Sequence, residues 1–261
     1  MKRTIFFLLS LLPVVLFAQK KGEDVNEKAV KAKIIMEKAF DRCRSIKSGY
    51  YEMSVYRKHS GYHDDLHSYE TKCYFDKNGG NSLWDYHFNI FTQYIDESWR
   101  NPFNIIYDEN KLLHSTAEGE TVYDNPKSDK EKLASLELSL EVFLPFMNKE
   151  NDMWELWLGG SYDFWLLGEK RVDNSLCYQI LLSRNDKDRP KPTRDMSTNI
   201  NEQCILWIDK ETFLPLMYTE EWYVRSKEKG VVSFGYLKQK LNKFDENGFD
   251  KKQVDVSTKL L

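Results

Sequence analysis

The sequence predicts an α+β chain dominated by one large, curved antiparallel sheet. This would be an incomplete barrel covered by an N-terminal helix and a second mid-chain helix. Three observations predict it. A helical stripe near the N-terminus gives way at Ser48-Gly49 to hydrophobic alternation with period two. Most of the chain beyond Gly49 keeps that period, in runs joined by short turns. Aromatic residues make up 14% of the 261 residues, enough large flat side chains to floor a wide sheet.

The first element is a leader. Lys2 and Arg3 precede the apolar run Ile5–Phe17, and Ala18 stands before polar Gln19, Lys20 and Lys21. Charge, apolar core and small residue follow the order of a secretory signal, with cleavage expected after Ala18. Residues 1–18 are thus a signal peptide and 19–261 a single domain, exported to the periplasm and associated with the envelope. No Cys follows the apolar core, so a lipoprotein attachment point is not expected. The formal charge of −3 excludes an electrostatic nucleic-acid binder.

Residues 24–47 predict a helix with Val30, Ile34, Phe40 and Cys43 near one stripe. Tyr51, Met53 and Val55, then Tyr69, Thr71, Cys73 and Phe75, then Trp84, Tyr86, Phe88 and Ile90, form three alternating runs, with a turn at Asn78-Gly79-Gly80. Phe103–Tyr107 and Lys111–Ser115 flank Asp108-Glu109-Asn110 as a hairpin, and Thr121–Tyr123 adds a short strand. Residues 129–148 return to helical spacing through Leu133, Leu136, Leu140, Phe143 and Met147. Strands are expected over 153–158, 162–172, 175–183, 202–209, 214–225, 230–244 and 252–258. So many twisted strands tend to curl. The two helices, about 36 and 30 Å long at ~1.5 Å per residue, can cover only part of the inner wall. Candidates for that wall are Trp84, Tyr86, Phe88, Trp154, Trp165, Trp207, Trp222, Phe234 and Tyr236. Composition alone leaves two outcomes open, a tightly packed core or an apolar cavity.

Three segments carry a resemblance. They are Lys31–Lys47 (KAKIIMEKAFDRCRSIK), the strand Ser48–Lys58 (SGYYEMSVYRK) and Ile205–Trp222 (ILWIDKETFLPLMYTEEW). In order and motif the chain resembles the outer-membrane lipoprotein carrier (LolA-type) superfamily, which includes the RseB-type stress regulators. Trp207, Ile208, Asp209, Glu211, Thr212, Leu214 and Pro215 match its W-I-D-x-E-T-x-L-P hairpin. The resemblance implies a half-barrel with an apolar cavity for acyl chains. The segment Arg184–Asn199, with five cations, departs from the pattern as an insertion.

Catalytic signatures are absent: the sequence holds no G-x-S-x-G, H-E-x-x-H, P-loop or dinucleotide fingerprint. His59, His63 and His67 recur every four residues, yet Ser60-Gly61-Tyr62 makes them a loop between strands rather than a metal face, with His59 and His67 able to sit across from each other. Cys43, Cys73, Cys177 and Cys204 include one pair, Cys177 and Cys204, that a hairpin could bring close enough to bridge; two buried free thiols are the other outcome. The expected function is an exported, non-enzymatic carrier of lipid or acylated protein, without cofactor or metal, acting as a monomer. Alternatives are an envelope sensor that meets a protein partner and a carbohydrate-binding or carbohydrate-active protein.

Overall fold

The computed structural model describes residues 4–60, 65–77, 86–95, 101–108, 110–124, 126, 157–184, 198–226 and 230–258. Helix α1 spans Thr4–Ser45. Next in the chain are β1 Ser48–Ser60, β2 Asp65–Asp76, β3 His87–Tyr94, β4 Phe103–Tyr107, β5 Leu112–Thr116 and β6 Gly119–Tyr123. After a single π-helical turn, Trp157–Ser161, come β7 Tyr162–Val172, β8 Ser175–Arg184, β9 Thr198–Asp209, β10 Pro215–Ser226 and β11 Gly230–Asp245. The expected mid-chain helix 129–148 and the turn at 78–80 lie outside the described residues.

These eleven strands form one open antiparallel sheet in the order β6-β5-β4-β3-β2-β1-β11-β10-β9-β8-β7. The chain lays down one meander outward from β1, restarts at the far edge with β7, and returns strand by strand to β11. The two meanders join where β1 pairs with β11, from Tyr50 opposite Asp245 to Ser60 opposite Phe234. Among the described residues no helix is long and apolar enough to cross a membrane.

The main core lies on the face of the sheet that α1 covers. From the helix it takes Ala32, Ile35, Met36, Ala39 and Cys43, and from the link to β1 Ile46, all buried. This corrects the expected stripe. Val30 and Ile34 are 54% and 47% exposed, while the two alanines belong to the true contact face. A small side chain lets a helix approach a sheet closely, so Ala at helical spacing marks this face better than the larger Val30 and Ile34. Two further expectations change. The strand at 153–158 is replaced, over its described part, by the turn beginning at Trp157. Gly160, at φ 96°, supplies the positive φ of this turn. Trp157 is 1% exposed and stacks on Tyr218 of β10, ring centres 6.0 Å apart. The strand expected at 252–258 is instead a pair of 3-10 turns, Lys251–Gln253 and Val256–Thr258. Asp250 caps the first by accepting from the Lys252 N–H. Val256 packs with Ile106 and Leu113 on the reverse face, and its N–H donates to Asp108 Oδ2 at 3.2 Å.

The motif at Trp207–Pro215 is a turn built on one carboxylate. Asp209 Oδ1 accepts from the N–H groups of Glu211 (3.1 Å) and Thr212 (2.7 Å) and from the Thr212 hydroxyl (2.8 Å). Burial alone would raise the Asp209 pKa, yet these donors hold it below the ordinary carboxylate value.

Two substitutions test the helix face. Met36→Ala is expected to cost about 2–5 kcal/mol, the range for emptying a buried site. Val30→Ala is expected to stay within about 0.5 kcal/mol, as for an exposed position. Urea denaturation midpoints of the two variants check the contrast. Asp209→Ala should sharpen a second comparison: its paired carboxylate stabilises the fold above the carboxylate range and ceases to as pH falls through its lowered pKa. A weaker acid-side stability decline in that variant, followed by circular dichroism, is the expected outcome.

Candidate functional site

The helix-covered face is the candidate site, and cross-strand register lines its side chains into rows. In the first row Phe244, Tyr51, Cys73, Ile90 and Ile105 stand side by side across β11 to β4, and His114 of β5 ends it. The second holds Leu241, Met53, Thr71, Thr92 and Phe103. The third holds Leu206, Tyr218, Gln239, Val55, Tyr69 and Tyr94. None of these three rows contains a carboxylate or guanidinium, as burial without a partner would penalise them. The buried hydroxyls of Thr71 and Thr92 meet each other at 3.2 Å.

Polarity rises in the fourth row: Leu182, Cys204, Glu220, Leu237, Arg57 and His67 on β8, β9, β10, β11, β1 and β2. His67 is 8% exposed, whereas Arg57 and Glu220 are half-buried. The Tyr218 hydroxyl reaches from the third row to Glu220 Oε2 at 3.1 Å and Cys204 Sγ at 3.2 Å. Burial, with Cys204 and Glu220 beside it, keeps this phenol protonated well above its ordinary pKa, so it serves as a donor. The last row sets Trp222, Gly235 and His59 together. The Trp222 indole lies flat on Gly235: a Cβ built there would fall 1.9 Å from its Cε2 and Cζ2. The face therefore runs from an oily end to a charged end closed by an indole plate.

The hydrophobic face is not sealed at its margins. Tyr94, Phe103, Tyr123, Leu166 and Leu237 pack against the core while remaining half-buried. Phe103 meets His114 edge-on at 6.2 Å, and burial holds that imidazole below its ordinary pKa.

The aromatic candidates from sequence divide between two faces. Tyr86 and Phe88 join the main core, where Tyr86 meets Phe75 and Phe88 meets Tyr107. Trp222 shares the face of Tyr218. Trp165 alternates with Phe164, which is in the core, and so stands on the reverse face. Trp207 packs there too, in a separate cluster with Val172 and Cys177. Phe234 and Tyr236 flank Gly235 and also face away, and Tyr236 meets Tyr56 at 5.9 Å. Trp84 and Trp154 lie outside the described residues. Residues that sequence reasoning missed include Trp157, Tyr218 and the polar row. Only pairing across four strands, β10-β11-β1-β2, sets Glu220, Arg57 and His67 in one row.

Register corrects the histidine expectation and decides between the two cysteine outcomes in favour of buried free thiols. His59 pairs with Asp65 and His67 with Arg57, so the two imidazoles are not opposite each other; His63 lies outside the described residues. Among the described residues no group of three or more His, Cys, Asp or Glu is placed to hold a metal ion. Cys177 pairs with Asp209, whereas Cys204 pairs with Leu182. The two thiols are offset along the strands and sit on opposite faces, in different clusters. All four cysteines are free and buried.

No family model matches the chain, and no curated protein matches it. Solved structures do. The lipoprotein LppX of Mycobacterium tuberculosis is 10% identical, over 83% of this chain and 96% of its own, with a TM-score of 0.43. LprF of Mycobacterium bovis is 7% identical, over 84% and 94%, with a TM-score of 0.46. A LolA superfamily protein of Nitrosomonas europaea is 14% identical, over 87% and 98%, with a TM-score of 0.32.

Burial raises the Cys43 thiol to about 12 and the Cys177 thiol to about 11, and pushes Cys73 higher still. In the native protein at pH 8 these thiols are expected to resist iodoacetamide, reacting only after unfolding; mass spectrometry of the alkylated chain checks this. A thiol whose folded pKa is raised contributes stability below its unfolded value, near 9.0, and loses it as pH rises toward 12. The melting temperature should therefore fall across that window. Gly235→Ala is expected to cost about 1–3 kcal/mol by overpacking and to displace the Trp222 indole. A changed near-ultraviolet dichroism, absent when the variant also carries Trp222→Ala, reads that displacement.

Proposed function

We propose that this protein is an exported carrier that holds the acyl chains of a lipid or an acylated protein against the helix-covered face of its sheet. The supporting observation is the mismatch between sheet and cover. Eleven strands at ~4.8 Å spacing make a sheet about 48 Å wide, whereas one helix is about 10–12 Å across. Among the described residues α1 is the only α-helix. Its side of the sheet keeps a fringe of half-buried Tyr94, Phe103, Tyr123, Leu166 and Leu237 around the sealed core. An alkyl chain lying on such a wall gains about 0.8 kcal/mol for each methylene it buries. Tyr86, Phe88 and Trp222 extend the same wall, and the carrier role needs no catalytic residue.

The charged leader and apolar run at the N-terminus agree with work outside the cytoplasm, in the periplasm, where acylated proteins and lipids need shielding from water. One protomer carries the whole wall, so the reading takes a monomer as the working unit.

Organic extraction of protein purified from its native envelope should release lipid detectable by mass spectrometry. The delipidated protein should take up a fluorescent fatty acid. Tyr94→Ser and Phe103→Ser should each weaken that uptake about tenfold, equivalent to about 1.4 kcal/mol. Absence of extracted lipid together with no uptake by the delipidated protein would sink the proposal.

A further inference from the structure

We infer that His114, at the open margin of the helix-covered face, is the polar contact for an acyl ligand joined to an uncharged head, its imidazole meeting the carbonyl of the ester or amide. This rests on the carrier reading and adds the ligand class. Three observations carry it. First, the face opens toward this edge of the sheet. Along the first row Ile90 and Ile105 are 2% and 1% exposed, His114 of β5 is half-buried, and Thr121, opposite it on β6, is exposed. Phe103, which meets the imidazole edge-on, and Tyr123, two residues from Thr121 on the same strand face, are half-buried as well. A ligand therefore reaches this part of the wall without parting the sealed rows. Second, charge is missing from this side. Register and alternation place no Asp, Glu, Lys or Arg on the covered side of β3, β4, β5 or β6. Glu120 of β6 faces the reverse side, where it accepts from the Ser115 hydroxyl at 3.2 Å. Lys111 pairs with Asp124 just beyond the strand ends at 3.0 Å, and Glu118 is exposed in the turn between β5 and β6. An ionised head settling at His114 would lose water and meet no opposite charge. Third, the imidazole is neutral and unpaired. Burial is the one influence on its pKa and moves it downward, and the ring has no hydrogen-bond partner among the described residues. A neutral imidazole keeps one N–H donor and one acceptor nitrogen. An acyl carbonyl takes the donor, and its tail then lies over Phe103 and the half-buried rings beside it.

The test compares four probes with the same twelve-carbon tail: monododecanoylglycerol, N-dodecanoylethanolamine, the dodecyl ether of glycerol and dodecanoate. The first two carry the uncharged carbonyl, the ether lacks a carbonyl, and dodecanoate adds charge. Delipidated full-length protein is titrated with each below its critical micelle concentration, at constant ionic strength and neutral pH. The wild type is expected to bind the ester or the amide about fivefold more tightly than the ether and about tenfold more tightly than dodecanoate. His114→Leu should bring ester and amide down to the affinity of the ether while leaving ether binding unchanged. His114→Gln, which keeps an uncharged donor and acceptor, should restore part of the difference. A preference for the ester alone or the amide alone supports the inference and names the linkage. Ether or dodecanoate binding the wild type as tightly as both carbonyl probes overturns the inference and leaves the carrier reading standing. So does a carbonyl preference that survives His114→Leu. Failure of every probe to bind the wild type overturns both. The wild-type comparison decides the matter even if His114→Leu does not fold.

Discussion

Everything in this molecule depends on the pairing of β1 with β11. These strands are far apart in the chain, and their ladder fuses two meanders into one sheet. Each meander alone would expose an oily face on five or six strands. Joined, they present a single face on which Tyr51, Met53 and Val55 of one half meet Phe244, Leu241 and Gln239 of the other. The ladder closes a loop of nearly the whole chain, so its ordering cost is met only when both halves bury their side chains together. The Arg42–Glu246 ion pair reinforces the same seam from outside, tying the last turn of α1 to the end of β11. It is exposed and adds little beside the buried ladder.

That seam also explains the graded character of the covered face. β1 and β11 run through the middle of the sheet, and polarity changes along their length rather than across the strands. At the Tyr51 end the neighbours are sulfur and hydrocarbon, and burial drives thiols and phenols to stay protonated. At the Arg57 end the rows hold an imidazole, a carboxylate and an indole. Two residues along a strand advance about 6.6 Å, so a few steps separate an environment hostile to charge from one that accepts it.

Hairpins are legible in the sequence because they are local. The alternation in Tyr51–Val55 and Tyr69–Phe75 predicts β1 and β2, and Asp108 is recognisable as the corner between β4 and β5. The Asp209–Thr212 corner behaves as its residue types require. Where local pattern admits two outcomes, it misleads. Val254 and Val256 alternate as a strand would and both are buried, yet the segment forms 3-10 turns, with Val256 against Ile106 and Leu113 on the reverse face. Cys177 and Cys204 lie on neighbouring strands, as expected, but Cys204 stands five residues from the partner of Cys177, an odd offset that sets them on opposite faces. In a sheet, one residue of slip reverses every side chain.

By itself the sequence determined the class of fold, the N-terminal helix, the bounds of most strands and the lack of any catalytic signature. Those properties reside in periodicity and turn chemistry over ten or twenty residues, which no distant contact needs to supply. Tertiary structure decided which helix stripe is buried, which tryptophans share a face, and that Glu220, Arg57 and His67 occupy one row. Each of these turns on register between strands remote in the chain, and register is set by the fit of whole faces against one another. A short stretch of sequence carries no record of that fit.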